Sequence, residues 1–88
     1  MKTLLLILST QFLYYFYAAE TAFIEEDWPT AYKLFRFCHS LEPDDPTVNL
    51  YMGIYHDGFD QRDQALQYYQ KAWEREPEIA WKNYSLLQ

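Results

Sequence analysis

The stretch Gln64-Ala65-Leu66-Gln67-Tyr68-Tyr69-Gln70-Lys71-Ala72-Trp73-Glu74-Arg75-Glu76-Pro77 decides how the rest of the chain is read. Ala65, Tyr69 and Ala72 are spaced by four and three, which places them on one face of a helix. Small residues on either side of a ring let a neighbouring helix come close while the ring fills the space above the contact. Pro77 is a stop signal, because proline cannot continue a helix. Sliding the chain along itself by 34 residues finds the pattern a second time. Ala31 falls on Ala65, Phe35 on Tyr69, Cys38 on Ala72 and Pro43 on Pro77. Upstream, Ala19 falls on Gly53 and Tyr17 on Tyr51. The order small, small, aromatic, small, proline recurs, and that order carries more weight than the few identities.

A small residue on a first helix, Ala-x3-aromatic on a second and a closing proline resemble the tetratricopeptide repeat family. The resemblance is close over residues 12–79 and loose over 80–88. It implies an all-α tetratricopeptide-type helix-turn-helix solenoid, a fragment of a right-handed superhelix with about five helices. Repeat 1 would span 12–45 and repeat 2 would span 46–79, with 80–88 as a capping helix and 1–11 as an N-terminal cap or signal-like segment. The packing positions implied are Ala19, Ala31, Phe35, Cys38 and Pro43 in the first repeat, and Gly53, Ala65, Tyr69, Ala72 and Pro77 in the second. Glu26 stands at a turn position where the family often has glycine, and His56 where an aromatic is usual. Two repeats are fewer than the roughly three that such arrays need for a continuous core, so the ends require cover.

Turn chemistry sets the expected boundaries. Pro29 suits the first turn of a helix and pushes Trp28 out of helical geometry, predicting a helix from about Pro29 to Leu41. Pro43-Asp44-Asp45-Pro46 then reads as a turn, followed by a helix from about Thr47 to His56. Asp57-Gly58-Phe59-Asp60 should reverse the chain, and Asp60 or Gln61 should start the helix that Pro77 ends.

Thr3 to Ala19 is free of charge and sits behind Met1-Lys2, so a signal peptide or a short membrane span has to be weighed. Neither fits well. The apolar run Leu4–Leu8 is five residues long and is broken by Ser9-Thr10-Gln11. Cleavage after Ala19 would put Tyr17 where a small side chain is preferred, and 17 residues is at the short limit for a span. A buried helix of a cytoplasmic domain is the expectation, with export or a membrane anchor following only if residues 1–19 act as a signal or anchor.

Length and charge narrow the function. Eighty-eight residues make one small domain without a deep enzyme cleft. From Glu20 onward six Lys and Arg face thirteen Asp and Glu, so nucleic acid is not an expected partner. Cys38 alone excludes an internal disulfide, and it reads as a small core residue because His39 points roughly 100° away around a helix. Asp57, Asp60 and Asp63 lack the alternate spacing of a calcium loop, and His39 and His56 have no partner at metal-ligand spacing, so both read as surface residues. Glu25-Glu26-Asp27 has no pocket to separate its acidities. The expectation is a non-enzyme with no catalytic residue, no cofactor and no metal.

The family resemblance implies a protein-protein interaction module, an adaptor or scaffold that takes a peptide or protein segment on its first helices. Those helices offer Leu13, Phe16, Tyr17, Glu20, Phe23 and Ile24 from repeat 1, with Thr47, Leu50, Tyr51 and Ile54 from repeat 2. The surface is aromatic and apolar apart from Glu20, and without Lys or Arg the clamp that one subfamily uses for acidic C-termini is not carried over. Self-association by repeat stacking is an alternative use of the same surfaces. Another is a secretion-type chaperone that holds an apolar client segment, a class that Leu34 to Pro43 resembles.

Overall fold

The structure is a computed structural model and describes residues 2–78, with side chains from residue 10 onward. Four helices and no strand occur among the described residues: α1 (Lys2–Ile24), α2 (Trp28–Leu41), α3 (Pro46–Gly58) and α4 (Arg62–Arg75). The chain is all-α over that range, and the capping helix expected at 80–88 lies outside the described residues. Two compact units, Met1–Glu42 and Pro43–Gln88, are each built on one helix pair, α1 with α2 and α3 with α4.

The helix bounds recur at the spacing found in the sequence. Both α2 and α4 have 14 residues, and their first and last residues stand 34 apart, as do the last residues of α1 and α3. The turns recur as well. A helix end leaves its last carbonyls unsatisfied, and one left-handed residue folds the following N–H groups back onto them. Glu26 (φ 61°) and Asp60 (φ 60°) are those residues. Glu26 N–H donates to Phe23 O at 3.1 Å and Asp27 N–H to Ala22 O at 2.9 Å. One repeat later Asp60 N–H donates to Asp57 O at 3.0 Å and Gln61 N–H to His56 O at 2.8 Å. In each turn the residue after the left-handed one is already the N-cap of the next helix, which is how the reversal is completed so quickly.

Several boundaries differ slightly from expectation. Gly58 remains helical with an ordinary φ, and the left-handed residue is Asp60, whose short side chain tolerates that region. Helix α2 starts at Trp28 instead of Pro29, because the proline lacks only an N–H that has no helical partner in the first turn. Its cap is Asp27, whose carboxylate accepts from Thr30 N–H at 3.4 Å. Helix α3 starts at Pro46 under a closer cap, Asp45 Oδ1 accepting from Val48 N–H at 3.0 Å. Both second helices stop at a glutamate that leaves helical geometry just before a proline, Glu42 (φ −136°) and Glu76 (φ −139°).

Within the first unit Ala19, Ala31, Phe35 and Cys38 are fully buried. Ring contacts step in opposite directions along α1 and α2: Tyr15 meets Phe37 (4.6 Å between centroids), Phe16 meets Phe35 (6.1 Å) and Phe23 meets Trp28 (5.2 Å). The second unit buries Val48, Gly53, Ala65, Tyr69 and Ala72, with Gly53 lying directly under the Tyr69 ring. A Cβ built at Gly53 would collide with Cδ1 and Cε1 of that ring, so the approach of α3 to α4 needs glycine there. His56, read from sequence as a surface residue, is half-buried at the end of α3. Its ring stacks on Tyr68 at 5.1 Å, and its Nδ1 lies 2.6 Å from Gln61 Oε1.

One buried polar residue has no counterpart among the expected core positions. Asn49 is fully buried, and its Nδ2 donates to Pro43 O and Asp45 O, each at 3.0 Å. The amide thereby fastens the Pro43–Asp45 turn to the first turn of α3. Helix α1 runs without a break from Lys2, ten residues ahead of the position equivalent to the start of α3, so residues 2–11 continue the helix of 12–24. Among the described residues no helix is long and apolar enough to cross a membrane.

Four stability predictions follow from these contacts, each read from thermal or urea unfolding. Gly53→Ala lowers stability by about 1–3 kcal/mol despite its better helix propensity, because the enclosed Tyr69 ring cannot yield. Gly58→Ala, with nothing within 4 Å of the added carbon, instead raises stability by about 0.5–1 kcal/mol. Replacing the left-handed Glu26 by glycine stabilises by about 0.5–1 kcal/mol, since the relieved backbone strain exceeds the extra freedom of the unfolded chain. Asn49→Ala costs about 1–3 kcal/mol by stranding the Pro43 carbonyl.

Candidate protein-interaction surface

The ten residues expected to form a binding surface lie on α1 and α3, and each helix is taken by itself. On α1 the exposed members are Leu13 (48% exposed), Tyr17 (62%) and Ile24 (79%). Phe16, Glu20 and Phe23 are half-buried, and two of them have a visible packing role. Phe16 stacks on Phe12 at 5.7 Å and meets Phe35 edge-on, while Phe23 meets Trp28. Phe16 and Phe23 therefore hold α1 against α2 as well as contributing apolar area. On α3 all four members, Thr47, Leu50, Tyr51 and Ile54, are half-buried. The register-equivalent tyrosines thus differ: Tyr17 presents most of its side chain to solvent and Tyr51 does not.

The packing positions fall where their spacing put them. Ala19, Ala31, Phe35, Cys38, Gly53, Ala65, Tyr69 and Ala72 are all buried, whereas Pro43 and Pro77 are exposed just beyond the ends of α2 and α4. Cys38 is a free thiol with no exposed surface, so reagents have no approach to it in the folded chain.

Tyr14 was absent from the expected surface, and it is the aromatic residue of α1 with the largest exposure, at 69%. A helical wheel could have found it, because Tyr14 lies one turn from Tyr17 and about 140° around the helix from the packing position Ala19. Asn49 was missed for another reason. Its polar side chain on a core-facing stretch gave no clue that two turn carbonyls would receive it.

Chemistry-bearing groups are sparse. A charged recess in the second unit is lined by Asp44, Lys71, Glu74 and Arg75. Arg75 and Asp44 approach to 3.9 Å with both side chains mostly exposed, an ion pair that solvent screens to little net value. Two carboxylates beside two cations favour no ligand of either sign. Among the described residues no group of three or more His, Cys, Asp or Glu is placed to hold a metal ion. What the expected surface offers on α1 is apolar and aromatic area, which can bind other apolar surface.

Comparison with models of protein families, with curated proteins and with solved structures gives no match to this chain.

Proposed function

We propose that the chain is a tetratricopeptide-type interaction module, without catalytic activity, that binds an apolar or aromatic segment of another protein on its first helices. The observation that carries this reading is the recurrence at 34 residues of the second helices, of the first-helix ends and of the turns, including the left-handed Glu26 and Asp60 and the terminal Glu42 and Glu76. A repeat of this kind is a unit for stacking, and stacked first helices make a continuous concave binding surface. Each first helix supplies its own part of such a surface, Leu13, Tyr17 and Ile24 on α1 and Leu50, Tyr51 and Ile54 on α3. Its ligand would be uncharged or basic rather than acidic, since Glu20 is the charged residue of that set and the chain carries a net charge of −6. The secretion-type chaperone is the same surface serving an apolar client segment, and no separate observation favours it.

The test is selection from a displayed random-peptide library followed by titration of the peptides recovered. Aromatic and aliphatic sequences poor in Asp and Glu are expected. Tyr17→Ala and Tyr51→Ala should each weaken binding by about tenfold or more, the scale of an aromatic hot spot. Recovery of acidic peptides, or of peptides indifferent to both substitutions, would place the binding surface elsewhere.

A further inference from the structure

The exposed side of α1 carries more than the groove positions. Among its described side chains, the exposed residues apart from Gln11 are Thr10, Leu13, Tyr14, Tyr17, Thr21 and Ile24, and all six fall in one arc of about 100° opposite Ala19 and Ala22. Thr10, Tyr17 and Ile24 succeed one another at seven-residue steps, with Leu13 and Tyr14 between the first two. That is the spacing of a seam between two helices, and the stripe contains no charge. The same step in the sequence leads back to Thr3, with Leu6 at the position matching Leu13.

We propose that this stripe pairs with the same stripe of a second copy of the chain, the two α1 helices lying antiparallel about a two-fold axis near Thr10 and Leu13. Charge selects the occupant and its direction. All thirteen Asp and Glu residues lie at Glu20 or beyond, so two copies of this acidic chain meet without facing carboxylates only along the stretch before it. Helix α1 has two charged residues, Lys2 and Glu20, near its opposite ends and about 27 Å apart along the axis. Antiparallel pairing centred between Thr10 and Leu13 brings Lys2 of each copy to Glu20 of the other. Parallel pairing puts like beside like. Area agrees with a second copy as well. Leu13, Tyr14 and Tyr17 together expose roughly 350–400 Å², close to half of the roughly 800 Å² per partner in a specific interface. The ten residues by which α1 precedes the α3-equivalent start lengthen the seam further. This association shares Leu13, Tyr17 and Ile24 with the segment-binding reading, but it also uses Thr10 and Tyr14 and needs nothing from α3.

Sedimentation velocity of the full chain from about 1 to about 500 µM is the test, since mass action must raise the dimer fraction with concentration. A dimer is expected, and Leu13→Arg with Tyr14→Arg should make it monomeric with unchanged far-ultraviolet circular dichroism, both positions being exposed. Lys2→Glu should weaken dimerisation about tenfold at low salt, and adding Glu20→Lys to it should restore the affinity. A chain that stays monomeric throughout overturns the proposal, as does a dimer indifferent to Leu13→Arg with Tyr14→Arg. Failure of the double reversal to restore affinity overturns the antiparallel arrangement. A monomer that floats with neutral phosphatidylcholine vesicles would assign the stripe to lipid and overturn the second copy as its occupant. Segment binding is read separately through Tyr51→Ala, which this association does not involve.

Discussion

The contact on which the second unit depends is the Tyr69 ring packed against a residue with no side chain, Gly53. Helices with ordinary residues at their contact lie about 8–10 Å apart, and glycine lets a ring fill the space a Cβ would have taken. Once Gly53 and Tyr69 are in register, the positions one turn away are constrained too. Ala65 and Ala72 fall on the inner face of α4, and the chain between the helices has only enough length for one left-handed residue and a cap. The first unit solves the same problem differently. Ala19 stands where Gly53 does, Phe35 replaces Tyr69, and Phe16 adds an edge-on ring where the second unit has Leu50. The added ring matches a pair of units in which one small residue is slightly larger and the ring above it lacks a hydroxyl.

Much of this was legible in the sequence because it depends on volume. Alanine and aromatic residues at spacings of four and three announce a helix face, and prolines announce where it stops, so the bounds of α2 were legible to within a residue and the start of α4 to within two. The reversal between helices was less legible. Glycine is the residue expected to take positive φ, yet Gly58 is helical while Glu26 and Asp60 carry the left-handed backbone. The turn is fixed by which carbonyls must be capped, and those depend on how far the helix runs before packing ends it. Local composition could not supply that. Asn49 was illegible for a related reason, since the worth of a buried amide lies in two carbonyls that come within reach only after the Pro43–Asp45 turn has formed. The candidate surface was legible as a list of apolar residues on two helices, but exposure was not. Tyr17 and Tyr51 are interchangeable in the repeat pattern and unlike in their surroundings.

That asymmetry bears on how such a short array can hold together and still bind. A repeat unit buries one side of its helices against its own partner and leaves the other for a neighbour. In α1 the side left over is an uncharged stripe of threonine, leucine, tyrosine and isoleucine, and its exposed tyrosines carry enough apolar area to demand cover in water. Half-buried residues on α3 offer less area for the same helix length, so the energetic weight of any association falls on α1. Leu13 and Tyr17 belong both to the seam proposed for a second copy and to the groove proposed for a foreign segment. The two occupants therefore compete for one helix, and each lowers the apparent affinity of the other by mass action. A segment that gains enough from α3 to displace the second copy would bind a monomer, and one that does not would be excluded at high concentrations of the chain. Under the two proposals together, self-association on this helix would set a threshold for partner binding that rises with the chain's own abundance.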